Sequence, residues 1–405
     1  MLRGLNPTEE TDMSQEITRY DEHIKSVDWL AEAGLPVAIT LTEALEPSEG
    51  KEAIIFPPTF AVAVKGVPHP YQIDKLDDKL NPQEAEKAGL EANNCLIDSV
   101  GSQANRMEAV FKQPPLSELV PQITVRLNDG VGVNLLDVGH RVADGAVRFS
   151  ELRSEVTTAI EALRDSADAE PLARLSPTSL ILGFWDSRPN TTMYKFGRML
   201  SSTIRATNVA VVKRSAQFTP AFDPTLLGLA DEIPEGETEA QDNFGKAADG
   251  KDPLSKLGLR AAPAVSTHGG VRVFGRIVRR TQINLVRLRA LAVTKGGEID
   301  ETETLKLRRY ILGLALVAAR VQTNYDLREG CLLRCVQTQG QLVYSNNESE
   351  PFEWGHGDVY AYAKEAAREF GVGSPREVRF DAKAASEGVE AVKKAAKEKP
   401  SKKNK

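Results

Sequence analysis

The chain has 405 residues, with 51 Lys and Arg against 57 Asp and Glu, and a formal net charge of −6. With 41% hydrophobic and 27% charged residues it has the balance of a soluble globular protein, long enough to bury a substantial core. The longest uncharged apolar run, Tyr310 to Ala319, is roughly half what a bilayer-spanning helix needs. The acidic N-terminus lacks the apolar centre of a secretion signal, and three cysteines (Cys95, Cys331, Cys335) are too few for a disulfide framework. The expectation is a cytoplasmic protein with no membrane partner.

Charge is unevenly spread. Residues 1–49 hold eleven acids and three bases, and residues 223–252 nine acids and two bases. Residues 271–295 carry seven bases and no acid, residues 186–214 six bases and only Asp186, and residues 391–405 seven Lys against Glu398. Basic blocks within a mildly acidic chain localise a positive field.

In chain order, residues 1–34 read as an acidic flexible lead-in. LPVAITLTEALEP, from Leu35, alternates as a strand and ends in a turn. Pro57-Pro58 predicts a shaped loop after AIIF. Residues 92–111 read as one helix, with Leu96, Val100, Ala104, Met107 and Phe111 on its apolar face and Asp98, Ser102, Asn105 and Arg106 opposite. PQITVRL predicts a strand, residues 139–164 one long helix or two, and SLILGFW a short buried strand. KFGRMLSSTIRAT (195–207) reads as an amphipathic helix, with Phe196, Met199, Leu200 and Ile204 facing the core and Lys195, Arg198, Ser202 and Arg205 outward. Residues 220–270 read as an acidic insertion. The text from Gly269 to Val293 predicts two strands, and LKLRRYILGLALVAAR a core helix. Residues 348–390 read as a charged helical extension, and 391–405 as a basic disordered tail. The alternation of strands and helices predicts an α+β fold.

The strongest chemical signal lies between Val271 and Leu291. In INLVRLRAL a strand pleat would set Arg287 and Arg289 on one face and Val286, Leu288 and Ala290 on the other. Arg272, Arg276, Arg279 and Arg280 precede them. Guanidinium forks match phosphate geometry, and a row of them suits a linear polyanion. The competing reading is a solvated face met by the acidic insertion. Aromatics are sparse, so holding of a nucleic-acid backbone is expected rather than stacking on every base.

An enzymatic alternative rests on Asp137, His140 and Asp144 in DVGHRVAD, a spacing that could grip a metal on one side of a helix. Cys331 and Cys335 lack a Cys or His partner nearby, and no phosphate-binding loop or nucleophile elbow is present. Asp186 in FWDSR reads as a cap of the turn that follows. No cofactor or metal is called for.

SVGSQANRMEAVF, DVGHRVADGAVRFS, SPTSLILGFWDSR, RSAQFTPAFD, RTQINLVRLRAL and RRYILGLALVAAR, in this order, resemble the backbone-subunit family of type I-U (I-G) CRISPR effector complexes. The resemblance covers roughly residues 35–336. It implies a protein of the RAMP superfamily: a modified RNA-recognition-motif (ferredoxin-like) palm with inserted finger and thumb elements, here over residues 35–347. It implies a non-enzymatic subunit whose copies line up along the CRISPR guide RNA, with target DNA reached through guide pairing and other effector-complex subunits as partners. A nuclease aspartate of the related type III subunits has no clear counterpart here. The RNA-contact candidates are then Ser102, Asn105, Arg106, His140, Arg141, Arg188, Lys195, Arg198, Arg205, Arg214, Arg272, Arg276, Arg279, Arg280, Arg287 and Arg289.

Overall fold

The computed structural model describes residues 20–24, 34–60, 70–127, 130–187, 192–218, 221, 224–229, 253–259, 262–320, 325–353 and 355–398. Period-two text lays down its main sheet. β1 (Pro36–Pro47) turns Ile39, Leu41, Glu43 and Leu45 inward and Thr40 and Thr42 outward. After it come β2 (Ile54–Ile55), β3 (Ile73–Lys75), β4 (Asn93–Asp98), β5 (Ile123–Arg126) and β6 (Gly132–Asn134). β7 (Phe184–Trp185) and β8 (Lys195–Phe196) form a small hairpin, followed by β9 (Leu200–Thr207), β10 (Val209–Phe218), β11 (Ala262–Val273) and β12 (Ile277–Asn284). β13 (Thr294–Lys295), β14 (Glu298–Ile299), β15 (Tyr325–Arg328), β16 (Cys331–Tyr344), β17 (Ser349–Pro351) and β18 (Arg376–Arg379) complete the strands.

Eight strands make a curled antiparallel sheet, a half-barrel, in the order β15-β16-β1-β12-β9-β4-β3 with β17 on β16. A ribbon β10-β11-β2 leaves it, and a third sheet, β18-β5-β6, pairs β18 parallel to β5. The passage from β9 to β10 turns on buried Asn208, which takes φ 53°. Its Oδ1 accepts from the Ala92 amide at 2.8 Å, and its Nδ2 donates to Glu86 at 2.8 Å and to the Leu90 carbonyl at 2.9 Å. Asn tolerates the left-handed region better than most residues, and here its side chain also fills the corner.

The helices are α1 (Asp21–Ile24), α2 (Pro82–Lys87), α3 (Val100–Ala109), α4 (Gly145–Arg148), α5 (Arg153–Ser166), α6 (Glu170–Leu175), α7 (Pro177–Leu182), α8 (Pro253–Lys256), α9 (Leu285–Arg289), α10 (Glu301–Arg320), α11 (His356–Phe370) and α12 (Ala382–Glu398). Thirteen of the twenty residues of α10 are buried, as its apolar text requires. α3 and α10 cover the inner face of the sheet, where a polar belt divides the core. Leu41, Leu200 and Ile283 belong to one hydrophobic cluster, and Leu45, Ile204 and Ile277 to another. Between them lies Arg279, with no exposed surface. Its guanidinium donates to Glu43 at 2.6 Å, Gln103 at 2.9 Å, Ser202 at 3.0 Å and the Ala319 carbonyl at 3.0 Å. Tyr325 donates to Glu43 at 2.8 Å, and Gln103 passes the chain on to Asp98 at 2.7 Å, where Arg106 and Arg328 also bind. Charges this deep persist because each is paired and hydrogen-bonded.

Several expected elements differ. The segment 92–111 splits into β4 and α3, because the Ser99 side chain accepts from the Ser102 amide and starts the helix there. Residues 195–207 form β8 and β9, not a helix: Leu200, Ser202, Ile204 and Ala206 are buried while their neighbours are half-exposed. SLILGFW divides between α7, opened by Pro177 and closed by Gly183, and β7. INLVRLRAL leaves the sheet at Asn284, whose side chain caps α9 through the Arg287 amide. Residues 139–164 carry a 3₁₀ turn over Arg141–Ala143 and then α4 and α5. The extension beyond 348 includes β18, and α12 runs to Glu398, inside the expected tail. The acidic insertion lies mostly outside the described residues, and its last part belongs to β11.

Candidate nucleic-acid interface

Among the described residues, the side chains in the central rows of the half-barrel's outer face are exposed or half-exposed. Strand register places its side chains in rows: Gln341, Thr40, Gln282 and Ser201; then Gln339, Thr42, Arg280 and Thr203; then Gln337, Ala44, Val278 and Arg205. Those rows hold no carboxylate. Among the described residues, acids of the sheet outside its core stand at its margins, among them Glu46 taken by Lys51 and Arg334, Asp74 by Arg205, and Asp326 exposed on the edge strand β15. Glu46 is accordingly held below the usual carboxylate range, first by its hydrogen bond from Lys51. Hydroxyls and carboxamides both donate and accept, so such a surface fits sugar and phosphate oxygens without repelling a polyanion.

Cations stand along the β9–β12 seam and at its two ends. Arg280 is exposed at its centre, Arg276 at the entry to β12, Arg198 before β9 and Arg287 on α9 after β12, none with an ion pair to a described residue. Arg205 lies in the seam too, but its guanidinium is engaged by Asp74 at 2.8 Å and Asn94 at 3.2 Å. Lys195 is exposed on the hairpin, its ammonium 5.3 Å from the centre of the Trp185 ring. This exposed indole escaped the sequence reading, which counted aromatics rather than asking which ones a two-residue strand turns outward.

Other candidates fall elsewhere. Arg279 lies within the core belt and cannot reach a ligand. Arg289 is buried too, donating to the His23 carbonyl at 3.1 Å and the Pro36 carbonyl at 3.0 Å, so it does not share a face with Arg287. Arg106 is tied to Asp98 and to the carbonyls of Asp326 and Leu327. Ser102 and Asn105 ride α3, on the side of the sheet away from the open rows. Arg272 pairs with Glu52, and Arg214 stands on the exposed part of β10. Arg188 lies outside the described residues.

Arg141 is buried at φ 53°, with Nε 2.8 Å from Glu108 Oε2 and Nη1 donating to the Gly183 carbonyl at 3.2 Å. Burial pushes the Glu108 carboxyl up and the Arg141 guanidinium down, against the pull of the pair. His140 beside it is exposed, its amide donating to Asp144 at 3.2 Å. The proposed metal grip does not assemble: Asp137 holds Lys112 at 2.6 Å, and Asp144 caps α4. Among the described residues no group of three or more His, Cys, Asp or Glu could hold a metal ion. Asp186 does cap its turn, accepting from the Thr192 amide at 3.0 Å and its hydroxyl at 2.7 Å.

Fold and site together define an α+β protein whose outer sheet face has acid-free central rows edged by arginines. Residues 39–211, about two-fifths of the chain, match the model of a family described as CRISPR-associated protein GSU0053, which supports a place among CRISPR-associated proteins. No curated protein matches the chain. Among the described residues no helix is long and apolar enough to cross a membrane.

Proposed function

We propose that this chain is a guide-RNA-binding backbone subunit of a type I-U (I-G) CRISPR interference complex, non-enzymatic and repeated along the guide. The observation that carries the reading is the set of acid-free central rows of the outer face with Arg280 among them, and Arg276, Arg198 and Arg287 at the ends of the same seam. Topology supports the palm of the RAMP superfamily. β1, β9, β12 and β16 stand in the order β16-β1-β12-β9, all antiparallel, with α3 before β9 and α10 before β16 on one face. That order is consistent with the β-α-β-β-α-β arrangement of ferredoxin-like folds. The matched CRISPR-associated family agrees with a place in a CRISPR complex. Base pairing would then read sequence, while this protein holds backbone shape.

The test is RNA affinity as a function of salt. Each phosphate contact to a single strand contributes a log–log slope of about −0.7. Arg276→Ala with Arg280→Ala should weaken binding to all sequences alike and flatten the slope by about one unit. The equal charge loss of Lys402→Ala with Lys403→Ala, in the basic tail, should do much less. Equal losses from the two folded variants would show that RNA is not held on the sheet face.

A further inference from the structure

The hairpin of β7 and β8 carries an indole that the fold holds in solvent. Trp185 is 60% exposed, although tryptophan is among the residues most costly to leave in water. Its support is rigid. Phe184, one residue earlier, is buried and stacks on Phe196 with ring centres 6.1 Å apart and planes 18° apart. Asp186, one residue later, is buried and locked to Thr192. Gly183, at the base, takes φ 75°, and a Cβ there would lie 2.8 Å from the Phe196 carbonyl oxygen and 2.9 Å from the Arg198 nitrogen. The outward pose of Trp185 is thus fixed from both sides.

Cations stand on the hairpin and beside it, together with the Arg164–Asp165 pair, whose arginine donates to the Thr192 carbonyl. Lys195 covers one part of the indole ring, and Arg198 stands two residues beyond the end of β8. The Arg287 guanidinium lies flat against Gly197, where a Cβ would come within 2.8 Å of its Cζ. Trp beside Arg also occurs at protein–protein contacts, which the experiment below separates from base stacking; an indole with cations next to it complements a base flanked by phosphates.

We propose that Trp185 is a stacking platform for one nucleobase of the bound strand, with Arg198 and Arg287 on the adjoining phosphates. The inference rests on the RNA-binding reading and amends it, since a subunit that only held backbone would leave every base free. One base per subunit would lie on the indole, whatever its identity, because every base has a π-face.

The experiment compares an RNA oligomer with a base-free ribose-phosphate oligomer of equal length. Trp185→Ala should lose between about fivefold and a hundredfold in affinity for RNA, the range of one base–aromatic stack, with the salt slope unchanged. It should lose nothing on the base-free oligomer, and Trp185→Phe should keep most of the RNA affinity. An equal loss on both oligomers, or none on RNA, would overturn the stacking assignment while leaving the arginine-dependent slope, and so the backbone reading, intact. A change in the sedimentation of the RNA-free protein on Trp185→Ala would assign the indole to a protein contact instead. Failure of the wild-type chain to bind RNA at all would overturn both.

Discussion

Arg279 separates two hydrophobic clusters that would otherwise merge, and its environment fixes what its loss would do. Removing the guanidinium leaves Glu43 buried beside Tyr325 with its charge unmet. Arg279→Met should therefore lower unfolding free energy by about 3–5 kcal/mol, read from denaturant midpoints. Glu43→Leu combined with Arg279→Leu should cost less than the two single changes together; strict additivity would mean that the belt is not a coupled unit. Asn208→Ala should cost about 1–3 kcal/mol by stripping the buried Ala92 amide of its acceptor. The cysteines give a chemical readout. Burial pushes the Cys95 thiol up to about 12 and the Cys331 thiol up to about 11, whereas Cys335 is exposed. A thiol reagent at pH 8 should therefore add one label, at Cys335, to the native protein and reach the other two only on unfolding. A second label on the folded chain, seen by mass spectrometry, would contradict the burial of Cys95 and Cys331.

Among elements, legibility followed how many patterns a segment satisfies at once. β1 and β5 each fit one period only, α10 is apolar nearly all round, and all three stand in the structure where the sequence predicts them. The 195–207 segment fits two. Phe196, Met199, Leu200 and Ile204 make a helical stripe, but Leu200, Ser202, Ile204 and Ala206 make an equally good alternation, and pairing with β12 decided for the strand. α9 is the converse case. Its alternation is real, yet Asn284 caps a helix, and Arg289 is drawn inward by two carbonyls of the N-terminal region. For α7 the signal was present and overlooked, with Pro177 at the first turn and Gly183 at the end. The arginine row was legible in composition but not in placement, since Arg279 and Arg280 differ only in which side of β12 they face. Gly183→Ala tests the hairpin as an element. The substitution meets backbone atoms at a positive φ, so it should destabilise by more than about 1 kcal/mol and broaden the Trp185 fluorescence environment.

For the molecule as a whole, the proposed backbone role requires an open-ended assembly: a subunit repeated along a strand needs a head-to-tail contact that does not close. Light scattering with guide-length RNA should show growth beyond a dimer, and a discrete monomer or dimer at micromolar protein would count heavily against the filament. Sheet topology also has a bearing on how the chain comes into being. β1, at the middle of the half-barrel, pairs on one side with β12 and on the other with β16, and β5 takes β18 as its parallel neighbour. A ribosome adding about 5–20 residues per second needs roughly 10–50 seconds to pass from the first of these strands to their partners. Through that interval Ile39 and Leu41 have no sheet to enter, and Val125 has only β6 beside it. The nascent chain is therefore a client for whatever shields unpaired strands during translation, and a stop codon even a few residues before β18 would strand β5 without the neighbour that arrives last.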